Sequence, residues 1–275
     1  MITAARAEHR ALAAFNVITL EHAEAIAAAA ETAGTPIILQ ISENAVKFHH
    51  GRLAPIARAA AGVAAAAAVD IALHLDHVED PGLLRQAADH GFSSVMFDGS
   101  HLDYNANVRA TRAAAEWAHE RGLWLEAELG RVGGKDGEAP LSAHAPGART
   151  DPGEAHAFVT ATGVDALAVA VGSSHAMTDR SAALDHDLIA RLRDAVAVPL
   201  VLHGSSGVPD TELARAVAAG VVKVNIGTAL NIAFTGAVRE YLEQAPASAV
   251  DPREYLVSAR ENMVKTAAHF IGVLG

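Results

Sequence analysis

The sequence has no cysteine, only four lysines (Lys47, Lys135, Lys223 and Lys265) and few aromatic residues, 4% of the chain. Each shortage removes a class of chemistry. Without thiols there is no disulfide framework and no thiolate nucleophile, so any metal must be held by histidine and carboxylate ligands. A Schiff-base enzyme would need an inward lysine, and Lys223 is the only plausible one. Cations are scarce overall: 21 Lys and Arg against 32 Asp and Glu leave a formal net charge of −11, and no basic run of useful length argues for a nucleic-acid surface. No stretch of about 18 residues is apolar and free of charges or breakers, and the N-terminus lacks a basic segment followed by an apolar one. These shortages lead to the expectation of a cytoplasmic protein with neither a nucleic-acid nor a membrane partner.

What the chain does have is alanine. Apolar residues reach 51% largely through it, a composition suited to helices packed closely on a sheet, and 275 residues fit one large α/β barrel or two small domains. Eight short apolar stretches read as strands: residues 12–17, 36–42, 71–77, 93–99, 123–129, 166–172, 199–204 and 221–227. Helical stretches separate them at 20–33, 53–67, 81–90, 104–120, 153–162, 185–196 and 209–219, and helices at 229–243 and 252–272 close the chain. The one long irregular connection, 130–152, is rich in Gly, Pro and charge, as lids and binding loops are. Strand and helix alternate eight times without a composition break, the pattern of a (β/α)₈ TIM barrel, and the expectation is a single domain over 1–275 with an extra C-terminal helix.

A barrel gathers the carboxyl ends of its strands into one ring. Here those ends carry Asn16, Ser42, Asp76 with His77, Asp98, Glu128, His175 just past strand six, His203 and Asn225. His74 shares the face of Asp76. Taken alone, the Asp76-His77 pair is equally readable as a helix cap beside a core histidine. Three imidazoles ending strands three, six and seven, with no thiol in the chain, meet the needs of a zinc site with three protein ligands and one open position. Asp98 and Glu128 would orient those ligands or serve a second metal position. The remaining histidines of helices and loops, His22 among them, are expected at the solvated surface. Gly204-Ser205-Ser206-Gly207 and Asn225-Ile226-Gly227-Thr228 follow strands seven and eight, where barrels commonly bind phosphate on free backbone N–H groups. Each is also readable as an ordinary capped turn.

With these residues located, the chain resembles the class II, zinc-dependent ketose-bisphosphate aldolases that act on fructose and tagatose 1,6-bisphosphates. The resemblance runs nearly end to end through Ala14-Phe15-Asn16-Val17, Leu73-His74-Leu75-Asp76-His77, Val95-Met96-Phe97-Asp98-Gly99-Ser100-His101, Glu126-Ala127-Glu128-Leu129-Gly130, Val171-Gly172-Ser173-Ser174-His175, Leu202-His203-Gly204-Ser205-Ser206-Gly207 and Lys223-Val224-Asn225-Ile226-Gly227-Thr228. It implies one Zn²⁺ held by His77, His175 and His203, and a catalytic Asp76. It also implies substrate or phosphate contacts from Gly172, Gly204, Ser206, Asn225 and Thr228, some through a monovalent cation (Na⁺ or K⁺). The assembly it implies is a homodimer or homotetramer.

Such an enzyme cleaves a ketose bisphosphate between C3 and C4 into dihydroxyacetone phosphate and an aldehyde. Asp76 would move the hydroxyl proton. A loop carboxylate after strand five would move the carbon-bound one, here Asp136 with Glu138 as the alternative. Ala176 stands where the family usually has Gly, Arg180 could replace its phosphate-holding Lys, and Arg52 is a further candidate for the second phosphate. Gly227 occupies a position that is often Asp in the fructose branch. The sugar therefore stays open between fructose bisphosphate, tagatose bisphosphate and a deoxy-keto acid phosphate. Two other readings compete: a non-catalytic sugar-phosphate-binding barrel, and a metal-dependent hydrolase, whose His-x-His pair the first strand lacks.

Overall fold

The computed structural model describes residues 1–130 and 148–275. Eight parallel strands close into a barrel in sequence order: β1 (Leu12–Asn16), β2 (Ile37–Ser42), β3 (Ile71–Val78), β4 (Ser94–Phe97), β5 (Trp124–Leu129), β6 (Ala166–Val169), β7 (Leu200–Leu202) and β8 (Val221–Ile226), with β8 pairing back onto β1. Helices run between them: α1 (Ile2–Ala7), α2 (Leu20–Ala33), α3 (Glu43–Phe48), α4 (Leu53–Ala66), α5 (Pro81–Leu84), α6 (Tyr104–His119), α7 (Pro152–Thr162), α8 (His186–Ala195), α9 (Asp210–Ala219), α10 (Thr228–Gln244) and the C-terminal α11 (Pro252–Leu274).

Helix starts follow local chemistry. The side chains of Ser42, Asp80, Asp103, Asp151, Asp185 and Asp251 each accept a backbone N–H of the first turn, which satisfies donors that have no intrahelical partner. The expected helix over 81–90 is shorter: α5 stops at Leu84, and a 3₁₀ turn at Ala87–Asp89 follows. Two short helices, α1 and α3, were not foreseen. Each has six residues, too few to display a 3.6-residue period.

Side-chain alternation divides the strands between two environments. Leu73 and Leu75 of β3, Leu125, Ala127 and Leu129 of β5, and Val224 and Ile226 of β8 belong to the large core between sheet and helices. Their neighbours at one remove, His74 and Asp76, Glu126 and Glu128, Lys223 and Asn225, therefore face the barrel interior. Towards the amino ends of the strands the interior is apolar, with Leu12, Ala14, Ile38 and Val222 clustered beside Ala5 of α1. Towards the carboxyl ends it is polar.

Candidate active site

His77, His175, His203 and Glu128 each bring one ligand-type atom into a group whose members all lie within 4.8 Å of one another. The imidazole centroids are 4.6 Å apart for His77 and His203, 5.0 Å for His77 and His175, and 5.7 Å for His175 and His203. Strict alternation would turn His77 away from the interior, since Asp76 already points inward. The chain corrects this with a register shift between β3 and β4 at Leu75/Val78 and with a left-handed backbone at His77, φ 50°, which a side chain other than Gly adopts only when its surroundings enforce it.

Two of the rings, His77 and His203, are oriented by a partner behind them. His77 Nδ1 lies 2.8 Å from Asp98 Oδ2, and Asp98 is itself fixed by the N–H and hydroxyl of Ser100. His203 Nε2 lies 3.0 Å from Glu126 Oε1, and its Nδ1 sits 3.2 Å from Glu128 Oε2. Lys223 Nζ donates to Glu126 Oε2 at 2.7 Å and lies 3.5 Å from His74 Nε2, while His74 Nδ1 meets Ser94 Oγ at 2.8 Å. Burial disfavours charge on the His203 imidazole, but Glu126 and Glu128 on its two nitrogens lift it to about 9. Burial, together with the Lys223 ammonium, pushes His74 down to about 3, so that ring is neutral. Glu126 is held well below the usual carboxylate range: burial opposes ionisation, and Lys223 and His203 outweigh it.

The surroundings call for positive charge. Asp76, Asp98, Glu126 and Glu128 are all buried, and Lys223 is the one buried lysine among the described residues. So many carboxylates gathered in a buried space around a single lysine suit a site that takes up a cation. A divalent cation on the three imidazoles and Glu128 fits this donor set, in number and type, and the carboxylates behind His77 and His203 are the usual outer partners of metal-bound histidine.

Asp76 is held between two amides, Asn225 Nδ2 donating to Oδ1 at 3.3 Å and Asn16 Nδ2 to Oδ2 at 3.2 Å, with Gln40 Nε2 donating to Asn16 Oδ1 behind them. Burial works against its ionisation, but His77, Lys223, His203 and His74 keep its carboxyl below the ordinary range. Asn16, Ser42, Asp76, His77, Asp98, His175, Gly204, Ser205, Ser206, Asn225, Gly227 and Thr228 all border one cavity of about 680 Å³. In its wall, Gly204 has φ 67°, and Ser206 Oγ accepts the N–H of Ala229 in the first turn of α10. Ala176 also borders it, with φ 56°, so the chain keeps a glycine-like conformation there despite the methyl group.

Other expected residues lie elsewhere. Arg180 does not border the cavity: its guanidinium bonds the Val208 carbonyl and Asp210, and stacks 5.1 Å from the Phe270 ring. Arg52 caps α4 and is likewise outside the lining, as is Gly172. Lys47, assigned no role at the site from the sequence, is the one Lys or Arg among the described lining residues, carried there by α3. Asp136 and Glu138 fall outside the described residues. His22 is not solvated. It is buried and stacked 5.5 Å from Phe234, and burial lowers its pKa.

Residues 1–275 match the family model described as fructose-bisphosphate aldolase class-II. A fructose-bisphosphate aldolase of Thermus caldophilus is 37% identical over 98% of this chain and 96% of its own length. Among solved structures, the YdjI aldolase of Escherichia coli K12 superposes with a TM-score of 0.86 at 32% identity, covering 100% of this chain and 95% of that one. The fructose-bisphosphate aldolase of Campylobacter jejuni does so with a TM-score of 0.81 at 25% identity, covering 99% and 92%. The match spans the whole barrel and every strand that contributes to the site, and the chain belongs to the class-II fructose-bisphosphate aldolase family.

Proposed function

We propose that this aldolase reversibly cleaves a ketose 1,6-bisphosphate, fructose 1,6-bisphosphate first among them, to dihydroxyacetone phosphate and an aldehyde. The observation that carries this is the gathering of His77, His175, His203 and Glu128 into one group, with His77, His175 and Asp76 bordering one cavity. A zinc ion on the three imidazoles supplies Lewis acidity to a substrate carbonyl oxygen.

The protein's own residues do the rest. Asp76, ionised and aimed by Asn16 and Asn225, takes the C4 hydroxyl proton as the C3–C4 bond breaks. The electron pair of that bond passes into the C2–C3 unit, giving an enediolate. C3 then needs a proton, which the proposal assigns to Asp136, with Glu138 as the alternative donor. Gly204, Ser205, Ser206, Gly227 and Thr228 hold the phosphate of the dihydroxyacetone half at the start of α10, with a monovalent cation, Na⁺ or K⁺, beside it. Lys47 takes the second phosphate, in place of the arginines that point elsewhere.

Among the described residues no helix is long and apolar enough to cross a membrane. The reading is of a cytoplasmic homodimer or homotetramer. Exposed Ile232 and Leu242 on α10 and Val257 on α11 support an interface on the last two helices.

Gly227 favours one second reading. An added Cβ there would sit 2.7 Å from Asn16 Oδ1, so a larger residue would disturb the Asp76 clamp, and its smallness leaves room for the tagatose configuration at C4. The test is condensation of dihydroxyacetone phosphate with glyceraldehyde 3-phosphate, unphosphorylated glyceraldehyde and malonate semialdehyde, with product stereochemistry read at C4. Activity should require metal, prefer the phosphorylated aldehyde, and lose that preference in Lys47→Met. Activity that survives exhaustive chelation refutes the zinc reading. Equal use of unphosphorylated dihydroxyacetone refutes the phosphate site.

A further inference from the structure

We propose that Lys223 and Glu126 are positioning residues that select which nitrogen of His203 faces the metal. The inference rests on the zinc reading above.

Four buried groups, His74, Lys223, Glu126 and His203, form one chain across the barrel interior that ends on the half-buried Ser94. Donor and acceptor rules fix its direction. An ammonium has only donors, so Lys223 gives one proton to Glu126 Oε2 and another towards His74 Nε2. His74 is therefore an acceptor at Nε2 and carries its proton on Nδ1, where it donates to Ser94 Oγ. Ionised Glu126 has only acceptors, so its Oε1 must receive a proton from His203 Nε2. With a metal taking the place of the proton on Nδ1, His203 keeps its hydrogen on Nε2, and Nδ1 is the nitrogen beside Glu128 in the cluster. The lysine thus acts two residues away from the metal: it anchors Oε2, so that Oε1 is left for the histidine.

The arrangement also accounts for a lysine that does not border the cavity and is 1% exposed. Buried, paired and unable to reach a substrate carbonyl, Lys223 is not a Schiff-base nucleophile. Without an ammonium between them, Glu126 and His74 would face each other across the barrel with no shared proton donor, and Oε1 and Oε2 would be equivalent.

Two double variants separate the orienting bond from the burial of charge. Glu126→Leu with Lys223→Met removes both charges together, leaving no unpaired ion but also no acceptor for His203. Glu126→Gln with Lys223→Met removes the same charges but keeps a carbonyl for His203 Nε2–H and an amide N–H for His74. Zinc affinity, measured by chelator competition, should fall roughly 10- to 100-fold in the first, the range for loss of an outer-shell partner, and stay within about threefold of wild type in the second. Equal affinity in the two folded variants overturns the proposal.

Should either fail to fold, the wild-type holoenzyme decides. With ¹¹³Cd as the bound metal and ¹⁵N-labelled histidine, cadmium coupling is expected at His203 Nδ1, with Nε2 protonated. Coupling at Nε2 overturns this inference and leaves the zinc reading standing. No coupling to any of the three histidines overturns the zinc reading itself.

Discussion

Gly204 is where the two loops that carry His175 and His203 touch. It follows His203 directly and has φ 67° and ψ 24°. A Cβ placed on it would lie 2.5 Å from Ser174 O, 2.6 Å from Ser174 C and 2.9 Å from Ser174 N, all backbone atoms of the residue preceding His175. Gly204→Ala therefore carries two penalties. The left-handed conformation costs a side chain about 1–2 kcal/mol, and forcing a methyl group into occupied backbone costs about 1–3 kcal/mol more. The sum is roughly 2–5 kcal/mol, and at about 2–4 °C per kcal/mol for a chain of this size the melting temperature should fall by roughly 4–20 °C. Gly34→Ala is the control: its φ is also +60°, but nothing lies within 4 Å of the added methyl, so only the conformational penalty remains. Any relief of the clash must move Ser174, and His175 with it, so the zinc affinity of Gly204→Ala should fall while that of Gly34→Ala stays put. The assay is thermal unfolding of both variants with and without zinc, alongside chelator competition. A Gly204→Ala protein that melts with Gly34→Ala and binds zinc as wild type would show that the two loops do not depend on that contact.

Asp76→Ala should lose about 10²- to 10⁴-fold in turnover, the range for a general acid or base, with metal content near wild type; loss of metal along with activity would instead make Asp76 a ligand. Gly227→Ala should push Asn16 off Asp76 and lower kcat by roughly 10- to 100-fold with unchanged zinc affinity, since a misplaced catalytic group costs about that much; unchanged kcat would mean that Asn16 does not aim the carboxylate. Glu43 joins α3 to the end of β3 by accepting the N–H groups of Glu79 and Asp80 while pairing with Lys47. Burial opposes its ionisation, yet Lys47 and those N–H groups hold its folded pKa below the ordinary glutamate value. A depressed folded pKa means stabilisation that is present above the unfolded value and lost as pH falls through the folded one. Glu43→Gln should accordingly cost about 1 kcal/mol at pH 7 and nothing at pH values below the folded pKa, as read by urea unfolding; an equal deficit at both would assign the effect to shape.

The barrel was legible because its strands are apolar, short and separated by helices of ordinary length, and the three histidines that the structure brings together were legible because each ends or closely follows such a strand. What the pattern misplaced has a physical reason in each case. Helix α3 is too brief for a period, and with it went Lys47, which only that turn delivers to the cavity. Arg180 was placed at the phosphate because it lies near His175 in sequence. The structure turns it to Asp210 and Phe270, where charge and ring are both within reach. His22 reads as a surface residue of a helix, but it falls on the buried side of the alanine-rich α2, together with Ile26 and Ala30.

The interior network was the part most open to reading and least read. In Glu126-Ala127-Glu128 and in Lys223-Val224-Asn225 two polar residues flank an apolar one on a strand. If the apolar residue packs outward against a helix, both polar ones must point into the barrel, one layer apart. The same spacing in His74-Leu75-Asp76 puts a histidine in the lower layer and a carboxylate in the upper. Three strands thus place His74, Glu126 and Lys223 in one layer and Asp76, Glu128 and Asn225 in the next. The upper layer borders or adjoins the cavity, where substrate or metal can satisfy it. The lower layer has no such access, so a lysine there can be tolerated only if a carboxylate of the same layer meets it. Alternation alone therefore requires the Lys223–Glu126 pair once the barrel is accepted, and leaves to the structure only which end of Glu126 turns to His203.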